Sequence, residues 1–313
     1  MNWFHLEQNV AWSLAVIYAS LLVAGGAVFL LARTRPDRSY AELRDRVQTW
    51  AVIILFFTVV LAVHRSLAIV AFAWISFLAL KEYLSLIPTR RADRVVLLLA
   101  YLAVPMQYGW IMCEWYGMFI IFIPVYMFLI LPLAMVAIGR TDGFLTAAGT
   151  LHWGLMTTVF SLSHMAYLLV LPDEGATVAG GTGLVLYLLL LTELNDIAQY
   201  CWGKSIGGKK VVPTVSPGKS WAGLLGGIAT TLVVAVLLSP LLTPLSWNHA
   251  CVAGIMVSLG GFFGDVTISA LKRDLGIKDS GTMLPGHGGV LDRVDSLTFT
   301  APLFLHFIRW YYF

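Results

Sequence analysis

Apolar runs of about 20 residues, the length a bilayer-spanning helix requires, recur along the chain and are parted by short polar connections. Ten such runs stand at roughly 10–32, 48–63, 66–87, 95–112, 116–138, 145–171, 182–202, 222–243, 250–271 and 296–313. The second run is short, and His64-Arg65 after it leaves room only for a minimal turn. The chain is 59% hydrophobic and 12% charged over 313 residues, against roughly 25% charged in soluble domains. The expected fold is therefore all-α: a polytopic integral membrane protein of about ten transmembrane helices, within a range of eight to ten. The first run has no basic n-region and no small-residue cleavage site, so it reads as a span rather than a signal peptide. Cys113, Cys201 and Cys251 lie scattered in or near apolar runs and form no CxxC pair or zinc spacing.

Lysine and arginine fall on alternate connections. Arg33, Arg35, Arg38, Arg44 and Arg46 stand in 33–47; Arg90, Arg91 and Arg94, then Arg140, follow two and four connections on. Lys204, Lys209, Lys210 and Lys219 come next, then Lys272, Arg273, Lys278 and Arg293, while Lys81 lies near the same end of its run. That places 18 of the 20 basic residues on one side, with Arg65 and Arg309 the exceptions. The positive-inside rule makes the rich side cytoplasmic, so both termini are expected on the outer side. Asp173 and Glu174 fall in an outer connection and read as solvated.

Polar residues inside or beside apolar runs concentrate after residue 190. In 191–223, LTELNDIAQYCWGKSIGGKKVVPTVSPGKSWAG, Glu193 and Asp196 share a helix face at i, i+3 and stand near the cytoplasmic end of the seventh run. A carboxylate at that depth is costly and faces a cavity or a partner; a basic loop at anionic headgroups would explain the lysines that follow but not Asp196. In 260–274, GGFFGDVTISALKRD, Asp265, Ser269 and Lys272 line one stripe. A helix–helix polar contact would be the bland account of a lone Asp265, but Arg273 and the basic end of the same helix point to a site. In 278–296, KDSGTMLPGHGGVLDRVDS, Pro285, Gly286, Gly288 and Gly289 force turns and let backbone N–H groups approach a ligand. His287 sits among them, and Asp292 and Asp295 stand i, i+3 with Arg293 between. Hard cations take carboxylate oxygens together with substrate phosphates, and Arg and Lys take phosphate oxygens. The three segments lie on one membrane face and describe a site for a metal-bound polyphosphate.

The run from Ser269 through Lys272, Arg273, Lys278, Asp279, Pro285, His287, Gly288, Gly289, Asp292 and Arg293 to Asp295 resembles the signature of the phosphatidate cytidylyltransferase (CDP-diacylglycerol synthase) family. Upstream, Asp196 with Tyr200 resembles its Asp-x-x-x-Tyr element, and SPGKSWAG from Ser216 through Lys219 resembles its Ser-Pro-Gly-Lys-Thr-Trp segment. The likeness is sharp over roughly 190–300. The chain departs from the pattern at Ile268 and Ala222, where acidic or amide residues are usual, and at Ile197 and Gln199 beside Asp196, which marks a divergent paralogue. The resemblance implies transfer of a cytidylyl group from CTP to phosphatidic acid, giving CDP-diacylglycerol and pyrophosphate at the bacterial inner membrane, by a homodimer among membrane lipids. It implies Mg²⁺ held by Asp196, Asp265 and Asp292, and a second, monovalent cation such as K⁺. It assigns catalysis to Asp265, Lys272, Asp292, Arg293 and Asp295, and substrate binding to Tyr200, Ser216, Lys219, Ser269, Arg273, Lys278, His287, Gly288 and Gly289.

On this reading residues 1–180 are transmembrane helices for packing and lipid access, and 181–313 are the catalytic region, with cytoplasmic loops at 203–221 and 272–295. Three other readings use the same residues: a CTP-dependent enzyme acting on another lipid phosphate, a transporter whose Asp196 and Asp265 bind cations, and an inactive scaffold. No pairing of broken helices, which many transporters show, is visible.

Overall fold

A computed structural model describes residues 7–34, 40–88, 90, 93–172, 178–281, 283 and 288–313. Among them every regular element is helical, and an isolated bridge joins Lys210 to Ser220. The helices are α1 Gln8–Thr34, α2 Ala41–Ala62, α3 Arg65–Leu86, α4 Arg94–Met112 and α5 Tyr116–Ile138. They continue as α6 at 144–168, α7 Gly180–Ile206, α8 Trp221–Leu242, α9 Trp247–Asp274, the short α10 Leu291–Val294, and α11 Leu297–Tyr312.

All ten expected runs are helical, and eight are long and apolar enough to cross a membrane. The two outside that set are α6 and α11; α11 has 16 residues, about 24 Å at 1.5 Å per residue. Some boundaries differ from expectation. The second span is not short: α2 has 22 residues and starts at Ala41. Arg44 and Arg46 therefore stand on a helix, whose opening sequence AELRDRVQ is rich in helix formers. Lys204, Lys272 and Arg273 likewise extend α7 and α9 rather than opening loops.

The helices contain Pro105, Pro132, Pro240 and Pro302, tolerated where other groups satisfy the freed backbone. Two stretches widen to π geometry, Phe122–Met127 and Met156–Phe160. In the second, Thr157 and Thr158 donate to the carbonyls of Trp153 and Gly154 at 2.9 and 2.7 Å. The connections collect at two ends. Arg90 holds Asp93 and reaches the carbonyls of Arg140 and Asp142, tying two basic connections together. Arg65 pairs with Glu114 at the opposite end.

In the C-terminal half, α7, α8, α9 and α11 pack as one bundle. Asn195 is its polar joint: Oδ1 accepts from Thr231 and Ser258 at 3.2 and 2.6 Å, joining α7 to α8 and α9. Small residues allow close approach. A Cβ on Gly223 would press on the Gln199 carbonyl, and one on Gly264 would overlap the Asp295 carbonyl. That second contact seats the chain after α10 directly against α9.

Candidate active site

The last turns of α7 and the loop that follows it enclose a cavity of about 300 Å³, lined in part by Asp196, Gln199, Tyr200, Lys210, Ser216 and Lys219. Asp196, Gln199, Tyr200 and Gly203 fall at i, i+3, i+4 and i+7, so one helix face supplies the wall. Gly207, at φ +70°, ends the helix, and Gly208, at φ +93°, turns the chain back; both conformations favour glycine. The loop then closes on itself. Val211 N–H donates to the Lys219 carbonyl, Lys219 N–H to the Ser216 carbonyl, each at 3.1 Å, and Ser220 caps α8 through Gly223 N–H at 3.2 Å. This small knot fixes where the Lys219 side chain emerges.

Lys219 Nζ lies 2.6 Å from Asp265 Oδ2 and donates to Gln199 Oε1 at 3.3 Å. Asp265 Oδ1 accepts from Ser269 at 3.1 Å. Asp196 Oδ2 accepts from Ser296 at 2.9 Å, while Asp196 Oδ1 is buried without a hydrogen-bond partner among the described residues. Burial works against the Lys219 ammonium, but Asp265 and Asp196 outweigh it and hold its pKa above the usual lysine value. For Asp295 the surroundings oppose the charged form: burial, with Asp265 and Asp196 nearby, pushes its carboxyl well above the ordinary range. Three carboxylates thus surround the Lys219 ammonium, with Arg293 in reach of Asp196 and Lys272 in reach of Asp295.

A second network adjoins this one, with its Lys272 in electrostatic reach of Asp295. Lys272 Nζ lies 2.7 Å from Asp292 Oδ1, and Asp292 Oδ2 accepts from the amides of Ser280 and Gly289 at 2.8 and 3.0 Å. Burial would raise the Asp292 carboxyl; Lys272 and the two amides overcome it and bring it below the usual value. Glu82, from α3, joins the same loop. Its Oε1 accepts from the Ser280 hydroxyl, and its Oε2 accepts from the amides of Val290 and Leu291 at 2.7 and 3.4 Å.

The structure therefore brings together Asp196, Tyr200, Ser216, Lys219, Asp265 and Ser269, with Asp295 in electrostatic reach. It places Lys272, Asp292, Gly288 and Gly289 in the second network. Gly288, at φ +78°, has no Cβ to meet Asp292 Oδ2, and Gly289 leaves its space to Glu82. In this state that pair of glycines seats two carboxylates, where the sequence reading assigns it to substrate phosphates. Arg273 donates to the carbonyls of Val215 and Ile277 at 3.3 and 3.0 Å, linking α9 to the lysine-bearing loop. Arg293 lies within electrostatic reach of Asp196 and Glu193, and its Nε is buried without a partner among the described residues. Lys278 is exposed. His287, with Pro285 and Gly286, lies outside the described residues. Ile268 is fully buried in the apolar core, so its departure from the family pattern does not face the cavity, whereas Gln199 does.

Sequence reasoning missed Glu82, Ser280 and Ser296. Glu82 carried a signal: it is the single carboxylate of the 22-residue apolar helix α3, and such residues are costly unless partnered.

Among the described residues, no three His, Cys, Asp or Glu side chains gather as a ready metal cage. Mg²⁺ bound with substrate phosphates needs only one or two carboxylates. Asp196 and Asp265 fit that need, the first with an unused buried oxygen. Asp292 does not gather with them; Lys272 and two amides hold it, leaving one lone pair at Oδ1 for any further ligand.

The sequence model of the cytidylyltransferase family matches residues 44–311. An uncharacterized protein of Escherichia coli K12, YnbB, is 47% identical over 298 residues, covering 95% of this chain and 98% of that one. A phosphatidate cytidylyltransferase of Haemophilus influenzae is 41% identical over 132 residues, 41% of this chain and 46% of that one. One of Staphylococcus haemolyticus is 35% identical over 157 residues, 49% of this chain and 59% of that one. The chain thus matches about half the length of these two phosphatidate cytidylyltransferases.

Proposed function

We infer the activity from one premise: the chain belongs to the cytidylyltransferase family. It is a multi-pass membrane nucleotidyltransferase, acting on a nucleotide in a lipid setting. Our reading of the specific reaction is CTP plus phosphatidate to CDP-diacylglycerol plus pyrophosphate, in phospholipid biosynthesis. A phosphate oxygen of the lipid attacks the α-phosphorus of CTP; the new P–O bond forms as the bond to the β-phosphate oxygen breaks, and pyrophosphate leaves with that electron pair.

The observation that carries this reading is the cavity of about 300 Å³, whose wall combines Lys204, Lys210 and Lys219 with Asp196. Positioning and charge neutralisation are the main demands of phosphoryl-type transfer. Lys219 is aimed by its loop and kept charged by Asp265, so it suits the triphosphate. Lys204 and Lys210, at the same cavity, suit the lipid phosphate. Asp196 and Asp265 would hold Mg²⁺, which when bound neutralises the triphosphate and clamps attacking and leaving oxygens. No general base is needed, because a phosphate monoester is already anionic near neutral pH. The positive-inside count supports a site on the cytoplasmic face of the inner membrane, with both termini outside.

A second reading, transfer to a different lipid phosphate, is favoured by one observation. YnbB matches nearly the whole chain, while the phosphatidate enzymes match about half of it. The amide of Gln199 inside the cavity is a candidate for that difference.

The test is turnover by protein in lipid nanodiscs with labelled CTP, Mg²⁺ and phosphatidic acid, read as CDP-lipid on a thin-layer plate, with Asp265→Asn alongside. Product from the parent and none from the variant supports the first reading. CTP binding without use of phosphatidate, but with turnover of another lipid phosphate, supports the second. Neither binding nor turnover from folded protein sinks both.

A further inference from the structure

We propose that Glu82 is a positioning residue for this site: a carboxylate from the N-terminal half that latches two described segments, 280–281 and 288–292. Its kinetic part rests on the cytidylyltransferase reading; its structural part does not.

Glu82 lies one turn from the end of α3, at the membrane face where the basic connections collect. Among the described residues no lysine or arginine pairs with it. Its charge is met by these segments: Ser280 gives a hydroxyl hydrogen, and Val290 and Leu291 give backbone amides. Hydrogen bonds to an ionised acceptor are the strong ones, and these reach across about 200 residues of sequence.

Both segments are shaped around this acceptor. A Cβ at Gly289 would overlap Glu82 Oε1, and one at Gly281 would come within 2.9 Å of it. Glycine at these places is therefore a matter of room for Glu82. Ser280 then divides its donors: the hydroxyl goes to Glu82 and the amide to Asp292. The amides of residues 289 to 291 are split in the same way, Gly289 to Asp292 and the next two to Glu82. The two carboxylates hold Ser280 to residues 289–291. Asp292 in turn holds Lys272, and the chain beyond α10 presents Asp295 and Ser296 to the cavity carboxylates. Glu82 touches no reacting group; it fixes the segment from which Asp292, Arg293 and Asp295 project. The N-terminal helices thus do more than pack and admit lipid.

The test uses full-length protein in nanodiscs and four variants: Glu82→Gln, Glu82→Ala, Gly289→Ala, and Glu82→Ala with Gly289→Ala. Hydrogen exchange is followed on peptides covering 278–291, together with melting and turnover. Glu82→Gln keeps the shape but loses the charge, and would set an amide against N–H donors. Expected is exchange on the order of ten- to a hundredfold faster at Val290 and Leu291, kcat/KM reduced by a similar factor, and a melting temperature near that of the parent. Gly289→Ala is expected to lose about tenfold or more in turnover, and in the double variant to add little to the loss of Glu82→Ala alone, because the methyl then meets only the Ser280 hydroxyl, which can turn away. Unchanged exchange in Glu82→Gln overturns the latch whatever the enzyme makes. Losses that multiply in the double variant overturn the spatial coupling and leave Glu82 an ordinary packing residue. If the parent uses no lipid phosphate, the cytidylyltransferase reading fails on its own, and exchange and melting still decide the latch.

Discussion

Two lysine–aspartate pairs of nearly equal length serve opposite ends in this fold. Lys219–Asp265 spans 2.6 Å and Lys272–Asp292 spans 2.7 Å. Around Asp292 every demand is met: a lysine on one oxygen, two amides on the other, side-chain exposure of 11% and 6% for the pair. Around Asp265 the demands are not met. Its pair is more exposed, at 18% and 23%, Asp196 and Asp295 compete for the same ammonium, and one Asp196 oxygen has no partner among the described residues. A satisfied pair suits a scaffold role, which the variants below test. A crowded carboxylate cluster, with Asp196 and its unpartnered oxygen at the wall of a cavity, suits the binding of a further group, and that difference separates the two networks better than residue type does.

The largest effect should come from exchanging damage between the pairs. Lys219→Met is expected to lower turnover by on the order of 10²- to 10³-fold, the scale for removing one preorganised charge, with a smaller fall in melting temperature than Lys272→Met, because water reaches the more exposed Asp265. Lys272→Met should do the reverse in kind. It strands Asp292, a cost on the order of 3–5 kcal/mol for a buried unpaired charge, visible as a lower melting temperature and faster exchange across 278–291. If Lys219→Met unfolds the protein, or Lys272→Met leaves it intact, the comparison fails.

A smaller effect sharpens it. Asp196→Asn removes one of three clustered negative charges while keeping an acceptor for Ser296. Relief of like-charge crowding is expected to raise the melting temperature slightly, by an amount equivalent to about 1 kcal/mol, while turnover falls. A loss of stability would mean that Asp196 is already paired as part of the scaffold.

Much of this was legible in the sequence, for physical reasons. Apolar run length marks all ten helices, and alternating lysine and arginine place the polar segments at one end. Asp196, Lys219 and Asp265 stand out as charges where charge is costly. What the sequence hides is direction. Asp292 and Asp295 are i, i+3 and read as one face, yet Asp292 pairs with Lys272 and two amides while Asp295 is crowded by Asp265 and Asp196, with Lys272 in electrostatic reach of both. Gly288 and Gly289 read as room for a ligand backbone contact, while their space is taken by Asp292 and Glu82. Glu82 itself is about 200 residues from its partners, and no local pattern announces a contact at that range. Ile268 reads as a polar group lost from the site, but its helix face turns it into the core.

The same contrast should appear as two opposite responses to pH. Asp292 has its carboxyl lowered, because Lys272 and two amides outweigh burial. Its contribution to stability is complete above the ordinary carboxylate value and fades as pH falls through the lowered one. Asp295 has its carboxyl raised by burial and by Asp265 and Asp196. Its contribution is complete below the ordinary value and fades as pH rises through the raised one. Melting in nanodiscs across the acid and neutral range should therefore show a gain and a loss that single variants separate. Asp292→Asn should flatten the acid limb and Asp295→Asn the limb at higher pH, every tenfold change in proton affinity being worth about 1.4 kcal/mol at most. If both variants flatten the same limb, the two carboxylates titrate as one cluster, and the scaffold network and the cavity network are a single site.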